Sequence, residues 1–383
     1  MELLIGLLLI LVCCLVIWRA SDGFEAASEY LGRNLSDGVR GATINAIGSS
    51  MPELFTTFFF FYYYAFVLND PTKANDGFAG GIGTTAGSAI FNGMIIPAIV
   101  IIAVIGYGLA KKVMVSRKVI LRDGLSLIAA ELVLIYLISG STLQWWHGLL
   151  LMLVYVAYIV ITFTTMSSAE DADDGDDEEE YYERPADAST LKSLLTLDLG
   201  PVFVRDKITT GSAWGLLIAS TLVIGVACFL LVYSCEVSAQ ALGINTYFIA
   251  VVLASAATSV PDTIISYRDA LDGDYDDAVA NALGSNIFDV CFALGLPLFL
   301  FTLAFGAIEM NPLVVDDITE LRVLLVILTI VAFFVYLIGK GMGRIKAVLL
   351  LLIYALFTFY ILSKAYEMAW ALEVGEVLKG LVR

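Results

Sequence analysis

The chain has 383 residues, of which 59% are hydrophobic and only 15% charged, with a formal net charge of −17. Soluble domains hold roughly 45–50% apolar residues. This composition therefore excludes a soluble enzyme and predicts an all-α protein that crosses the membrane many times, with the lipid bilayer as its main surroundings.

A helical span needs about 20 largely apolar residues. In chain order, ten stretches qualify: roughly 2–19, 41–68, 78–108, 119–139, 143–166, 212–234, 243–267, 277–306, 321–340 and 346–371. The first opens with Glu2 and lacks a basic region and a small-residue cleavage site, so it reads as a span and not as a signal peptide. The stretches beginning near 41, 78 and 277 contain Gly, Pro and polar residues, which predicts broken or tilted helices. His147, the only histidine, follows Trp145 and Trp146 at the start of the fifth stretch, where an interfacial anchor is the expected role. The five cysteines lie mostly in apolar runs and predict packing with no disulfide framework.

One composition break divides the chain. Within 167–210, residues 170–183 hold ten acids, a run that repels itself and buries no apolar surface. This segment is expected to be a disordered linker between two five-span halves, 1–166 and 211–383. Alternating the loops puts 16 of the 21 Lys and Arg residues on one side. That side should face the cytoplasm, which places the acidic linker inside and both termini outside. Asp272, Asp274 and Asp276 imitate the start of an EF-hand loop, but the following Gly is missing and Leu283 stands at position twelve. A solvated acidic loop is the expectation there.

Each half carries a costly pair of motifs. The first reads Ser49-Ser50-Met51-Pro52-Glu53, then Gly87-Ser88-Ala89-Ile90-Phe91-Asn92. The second reads Thr258-Ser259-Val260-Pro261-Asp262, then Gly284-Ser285-Asn286-Ile287-Phe288-Asp289. An odd number of spans per half makes the repeats inverted, and inverted repeats place a binding site near the bilayer midplane. Ser49 and Glu53, Ser88 and Asn92, Thr258 and Asp262, and Ser285 and Asp289 are each four apart, so each pair shares a helix face. Pro52 and Pro261 leave the carbonyls of Gly48 and Ala257 without their helical donor.

Taken singly, these residues have ordinary structural explanations. An intramembrane Ser or Thr usually bonds back to its own helix, Gly-x-x-x-small is usually helix packing, and a buried Asn is often a link between helices. An intramembrane carboxylate is functional by default, and two matched sets favour a site. Its donors are Glu53, Asn92, Asp262, Asp289, several hydroxyls and freed carbonyls. All are hard oxygens, which suit Ca2+ and alkali ions. Three carboxylates cannot all stay ionised in a dry site without cations. One Ca2+ or two Na+ offset the same charge, a physical basis for competition at shared ligands.

These motifs resemble those of the calcium/cation antiporters, specifically the sodium/calcium exchangers. GSSMPELFTT with GSAIFN, and ATSVPDTIIS with GSNIFD, look most like the potassium-dependent branch, over roughly 41–105 and 250–300. The resemblance implies a Na+/Ca2+ antiporter of the cell membrane, not an enzyme, with Ca2+ and Na+ as transported ions. It implies no cofactor, protein partner or nucleic acid. Glu53 and Asp262 would be central carboxylates flanked by Asn92 and Asp289. Ser49, Ser50, Ser88, Thr258, Ser259 and Ser285 would supply hydroxyls. Asp289 matches the position associated with K+ dependence, yet some potassium-independent prokaryotic members also carry Asp there, so K+ cotransport is left open. Ser49, Ala257 and Ala89 depart from the usual Thr, Gly and Asn.

The family also implies that spans one and six slide past the ligand-bearing core, with 21–34 and 236–245 as permissive linkers. A proton-coupled cation exchanger is the runner-up, although that branch usually has Gly-Asn-x-x-Glu. A cation channel ranks third. An intramembrane protease would need His-Glu-x-x-His or Gly-x-Gly-Asp, and both are missing. The short central loop has no room for a folded Ca2+-sensor domain, which points to a prokaryotic source.

Overall fold

The computed structural model describes residues 1–33, 46–67, 73–166 and 190–382. The acidic run 170–183, the start of the first repeat at 41–45 and the turn 69–71 lie outside the described residues.

The helices, in order, are α1 (Glu2–Leu31), α2 (Ala46–Ser49), α3 (Met51–Tyr62, running into a π turn Tyr63–Val67), α4 (Ala74–Gly106), α5 (Arg117–Leu137) and α6 (Trp145–Met166). After the acidic segment come α7 (Thr190–Thr196), α8 (Gly200–Phe203), α9 (Thr210–Leu242), α10 (Thr246–Ile249, then a π turn Ala250–Ala254), α11 (Ser255–Thr258) and α12 (Val260–Asp272). The chain ends with α13 (Tyr275–Phe288, then a π turn Asp289–Ala293), α14 (Leu294–Phe305), α15 (Pro312–Leu337), α16 (Arg344–Ala365) and α17 (Ala369–Gly380).

Eight helices among the described residues are long and apolar enough to cross a membrane. The other two predicted stretches differ in kind. That at 46–67 is divided among α2, α3 and a π turn, and α5 carries Arg117, Lys118, Arg122, Asp123 and Glu131. Long apolar side chains stand exposed on α1 (Leu4, Leu8, Leu11), α9 (Leu222, Val226) and α16 (Leu352, Leu356, Phe359). A surface of that kind belongs in lipid. The protein is an all-α, multi-pass membrane protein.

Local chemistry explains the breaks. Pro52 and Pro261 occupy the first turn of α3 and α12, where a missing N–H costs little. The helices preceding them stop one residue short, at Ser50 (φ −92°, ψ 8°) and Ser259 (φ −78°, ψ 2°). The same kink thus recurs in both halves. The stretch beginning near 78 is not broken: α4 runs through Pro97 without interruption.

Two expectations need correction. Residues 21–31 and 236–242 are not loose linkers but the continuous ends of α1 and α9. Gly23 brings α1 close enough to α9 that a Cβ there would lie 2.8 Å from the Ser220 hydroxyl. Arg268 on α12 pairs with Asp22 at 2.8 Å and Glu25 at 3.3 Å. These contacts give the polar residues of α1 helical partners. The linker 167–210 is also ordered in its last part. Leu199, Val204 and Ile208 bury themselves with Ala27, Ala213 and Leu216 at the α1–α9 contact.

The last predicted stretch ends earlier than expected, at Ala365. After a turn, α17 docks on α15, where Lys379 reaches Asp316 at 3.0 Å and Gly375 faces the Glu320 carboxylate. Lys364 pairs with the same Glu320 at 2.7 Å. His147 accepts the Gln144 N–H at 2.9 Å and stacks on Trp146, which secures the start of α6.

The helix α4 is the centre of the fold and is buried along most of its length. Gly87 is where it meets the π turn Ala250–Ala254. A Cβ there would run into the Val251 carbonyl oxygen and approach the Ser255 side chain to 2.9 Å. Gly87→Ala should therefore push α4 off that turn, displace Ser88, and cost about 1–3 kcal/mol. Thermal unfolding in detergent checks this, and an unchanged midpoint would show that the contact is soft.

Candidate metal centre

The two kinks, the helix α4 and α13 with the π turn that follows it bring all ten predicted site residues to one place in the middle of the bundle. Ser50, Glu53, Ser88, Asn92, Thr258, Ser259, Asp262, Ser285 and Asp289 have no exposed surface, and Ser49 has 2%. Glu53, Asp262 and Asp289 each offer an oxygen within 4.8 Å of the others. Two ligands of one ion at about 2.4 Å can stand no further apart than about 4.8 Å. The triad has the dimensions of a single cation site.

Ser88 is the hub. Its hydroxyl oxygen lies 3.1 Å from Glu53 Oε1, 3.0 Å from Asp289 Oδ2 and 2.8 Å from the Ser259 hydroxyl. It has one hydrogen for two carboxylates, while the Ser259 hydroxyl can donate to it. Asn92 Nδ2 donates across the repeat to Asp262 Oδ2 at 2.9 Å and lies 3.3 Å from the Ser285 hydroxyl. The two halves therefore interlock, since α4 of the first half supplies hydrogen-bond donors to acids of the second.

What remains is a surplus of oxygen. Glu53 Oε2, Asp262 Oδ1, Asp289 Oδ1 and Asn92 Oδ1 are buried and have no hydrogen-bond partner. Buried polar atoms are rarely left so, and among the described residues no Lys or Arg bonds to any of them. Hard oxygens of this kind are the ligands that Ca2+ and alkali ions take.

Three hydroxyls also follow the ordinary helical pattern. Ser49 donates to the Ala46 carbonyl at 3.3 Å, Thr258 to Ser255 at 3.1 Å, and Ser285 to Ala282 at 3.3 Å. Each also sits beside a carboxylate of the site, Thr258 next to Glu53 and both Ser49 and Ser285 next to Asp262.

Two residues beyond the predicted set support the site. Asn286, opposite Ala89 in the repeat, donates to the Ala89 carbonyl at 3.0 Å and joins α13 to α4. Asn281 donates to the Ser266 hydroxyl at 3.1 Å and lies 3.4 Å from the Asp262 carbonyl, fastening α13 to α12. Asn281 lies four residues before Ser285, so the i, i+4 rule applied once more along α13 would have found it.

The family model described as sodium/calcium exchanger protein matches residues 5–164 and 212–363. Sodium/potassium/calcium exchanger 3 from Homo sapiens is 37% identical over 123 residues, 32% of this chain and 16% of that protein. Sodium/potassium/calcium exchanger Nckx30C from Drosophila melanogaster is 35% identical over 118 residues, covering 30% and 13%. The matched stretch is thus about a sixth or less of these relatives' length.

Among solved structures, an H+/Ca2+ exchanger, CAX, superposes with a TM-score of 0.62 at 13% identity, covering 98% of this chain and 92% of that one. The sodium-calcium exchanger NCX_Mj superposes with a TM-score of 0.54 at 22% identity, covering 92% and 97%. These two share the fold. With the family model spanning both sides of the acidic segment, the chain belongs to the sodium/calcium exchanger family.

Proposed function

We propose that this chain is a secondary active antiporter that exchanges Na+ for Ca2+ by alternating access. The observation that carries the reading is the buried triad Glu53–Asp262–Asp289, drawn from both halves and left with unpartnered oxygens. The relatives named as sodium/potassium/calcium exchangers support the choice of ions. In this reading ten spans form two inverted five-helix halves, 1–166 and 211–383, with the acidic segment cytoplasmic and both termini outside.

Glu53 and Asp262 bind whichever ion is present, Asp289 and Asn92 flank them, and Ser49, Ser50, Ser88, Thr258, Ser259 and Ser285 complete the shell. The moving part is the α1–α9 pair, packed together along its length. It is fastened to the rest at two ends. Arg268 holds Asp22 and Glu25 at one. At the other, Glu236 of α9 accepts from Tyr64 at 2.8 Å and Thr246 at 2.6 Å. Sliding the pair breaks one fastening at a time.

The test is Ca2+ uptake into proteoliposomes across a matrix of Na+, K+ and pH gradients. Uptake should follow an outward Na+ gradient. Uptake that follows the pH gradient and ignores Na+ would establish proton coupling instead.

A further inference from the structure

Outside the cation site, Asp123 and Glu320 are also buried in the described helices, and these two pair with Arg122 and Lys364. Glu131 lies in the apolar part of α5 and has no exposed surface. The Thr329 hydroxyl on α15 donates to its Oε1 at 2.6 Å, and its Oε2 has no hydrogen-bond partner.

The groups on the surrounding elements leave it without a counter-ion. On α15, the guanidinium of Arg322 spends itself on the Ile318 and Ile135 carbonyls and the Thr319 hydroxyl, at 2.7–3.3 Å. On α6, the Tyr158 hydroxyl goes to Asp123 at 3.3 Å, and Tyr155 packs against Phe288. On α13, the acids Asp276 and Asp277 sit in the first turn, where Asp276 accepts the Ser116 N–H before α5 begins. From the π turn Asp289–Ala293, the Cys291 thiol lies within electrostatic reach of Glu131.

The oxygen count decides what such a site binds. Glu131 and Thr329 supply three oxygens. Ca2+ takes six to eight and Mg2+ six, so a divalent ion is underserved. An ionised carboxylate without a partner costs several kcal/mol in an apolar interior. A proton removes that charge and needs one lone pair. We propose that Glu131 is a second ion site of this chain, specific for H+ and separate from the triad. It is carried as the carboxylic acid, with the proton on Oε2 and the Thr329 hydroxyl bonded to Oε1.

The site backs onto the π turn that begins with Asp289. Resting on the reading of the triad as a cation site, the two occupancies oppose each other. A cation at the triad favours release of the Glu131 proton, and by reciprocity release of that proton tightens cation binding.

Infrared difference spectroscopy of the full chain in lipid tests the proposal. The wild type minus Glu131→Gln spectrum should show the C=O stretch of a protonated carboxyl, present in the wild type and lost in the variant. Thr329→Val should keep that band and move it to higher frequency, because the hydrogen bond is gone. Loss of a carboxylate stretch in its place, or a band that Thr329→Val does not move, overturns the proposal. Should Glu131→Gln fail to fold, the Thr329→Val shift decides alone. The spectra need no transported ion, so their failure leaves the triad reading intact. Loss of that reading in flux assays leaves Glu131 untouched.

Discussion

Glu53→Gln is expected to abolish Na+-driven Ca2+ flux in proteoliposomes and to weaken Ca2+ binding by about two to three orders of magnitude. The side chain keeps its shape and one oxygen, so the fold should survive. What it loses is one of the two central carboxylates, which Asp289 only flanks. Removing one partner from a buried charge cluster costs about 3–5 kcal/mol, and each 1.4 kcal/mol is about tenfold in affinity.

The empty protein should respond in the opposite sense. Glu53, Asp262 and Asp289 repel one another when no cation lies between them, and a neutral amide relieves that repulsion. Thermal unfolding should therefore show a variant that is more stable than the wild type without ions. At Ca2+ one hundred times its Kd the wild type should gain about 2.7 kcal/mol, while the variant at the same concentration gains almost nothing. Wild-type flux with Glu53→Gln would remove Glu53 from the site. Lost flux with an unchanged Ca2+-induced shift would move its role from binding to the conformational step.

The readability of this chain from its letters depended on distance. The site was legible because its determinants are local and doubled. Pro52 and Pro261 kink the chain whatever surrounds them, and i, i+4 spacing puts Ser49 with Glu53 and Ser285 with Asp289 on one face in any helix. What could not be read was pairing across the chain. Residues 21–31 look like a polar linker until Arg268 is known to sit beside Asp22 and Glu25. Leu199, Val204 and Ile208 look like the tail of a disordered segment until α1 and α9 present a face to them.

Glu131 was overlooked for the same reason. It belongs to neither pair of matched motifs, and its partner Thr329 is 198 positions away. The ten hydroxyl, amide and carboxylate candidates also looked alike as letters. Only the fold makes Ser88 the hub and sets Thr258 beside Glu53, and Ser49 and Ser285 beside Asp262.

The asymmetry of the repeat leads to the second large effect. Asn92 and Asp289 hold equivalent positions, one neutral and one acidic, so the triad carries three negative charges when ionised. Ca2+ offsets two. The third calls for a further monovalent cation, because an uncompensated buried charge costs several kcal/mol. Ca2+ binding to the wild type, measured without Na+, should therefore tighten as K+ replaces a large organic cation, by about 5- to 150-fold for a coupling of about 1–3 kcal/mol.

Asp289→Asn leaves two charges, which Ca2+ matches alone. The variant should keep Ca2+ binding and lose the response to K+. Because Asn92 and Asp289 close the two matched motifs, the double variant Asn92→Asp with Asp289→Asn restores the third charge at the other motif and should restore the response. A K+ response that persists in Asp289→Asn would place the monovalent ion elsewhere. A wild type that ignores K+ but releases or takes up a proton with Ca2+ would show that H+ carries the third charge. Failure of the double variant to recover, with Ca2+ binding intact, would mean that the position of the charge matters as well as its number. In that case the second half, where Asp262 and Asp289 both lie, provides the stronger field.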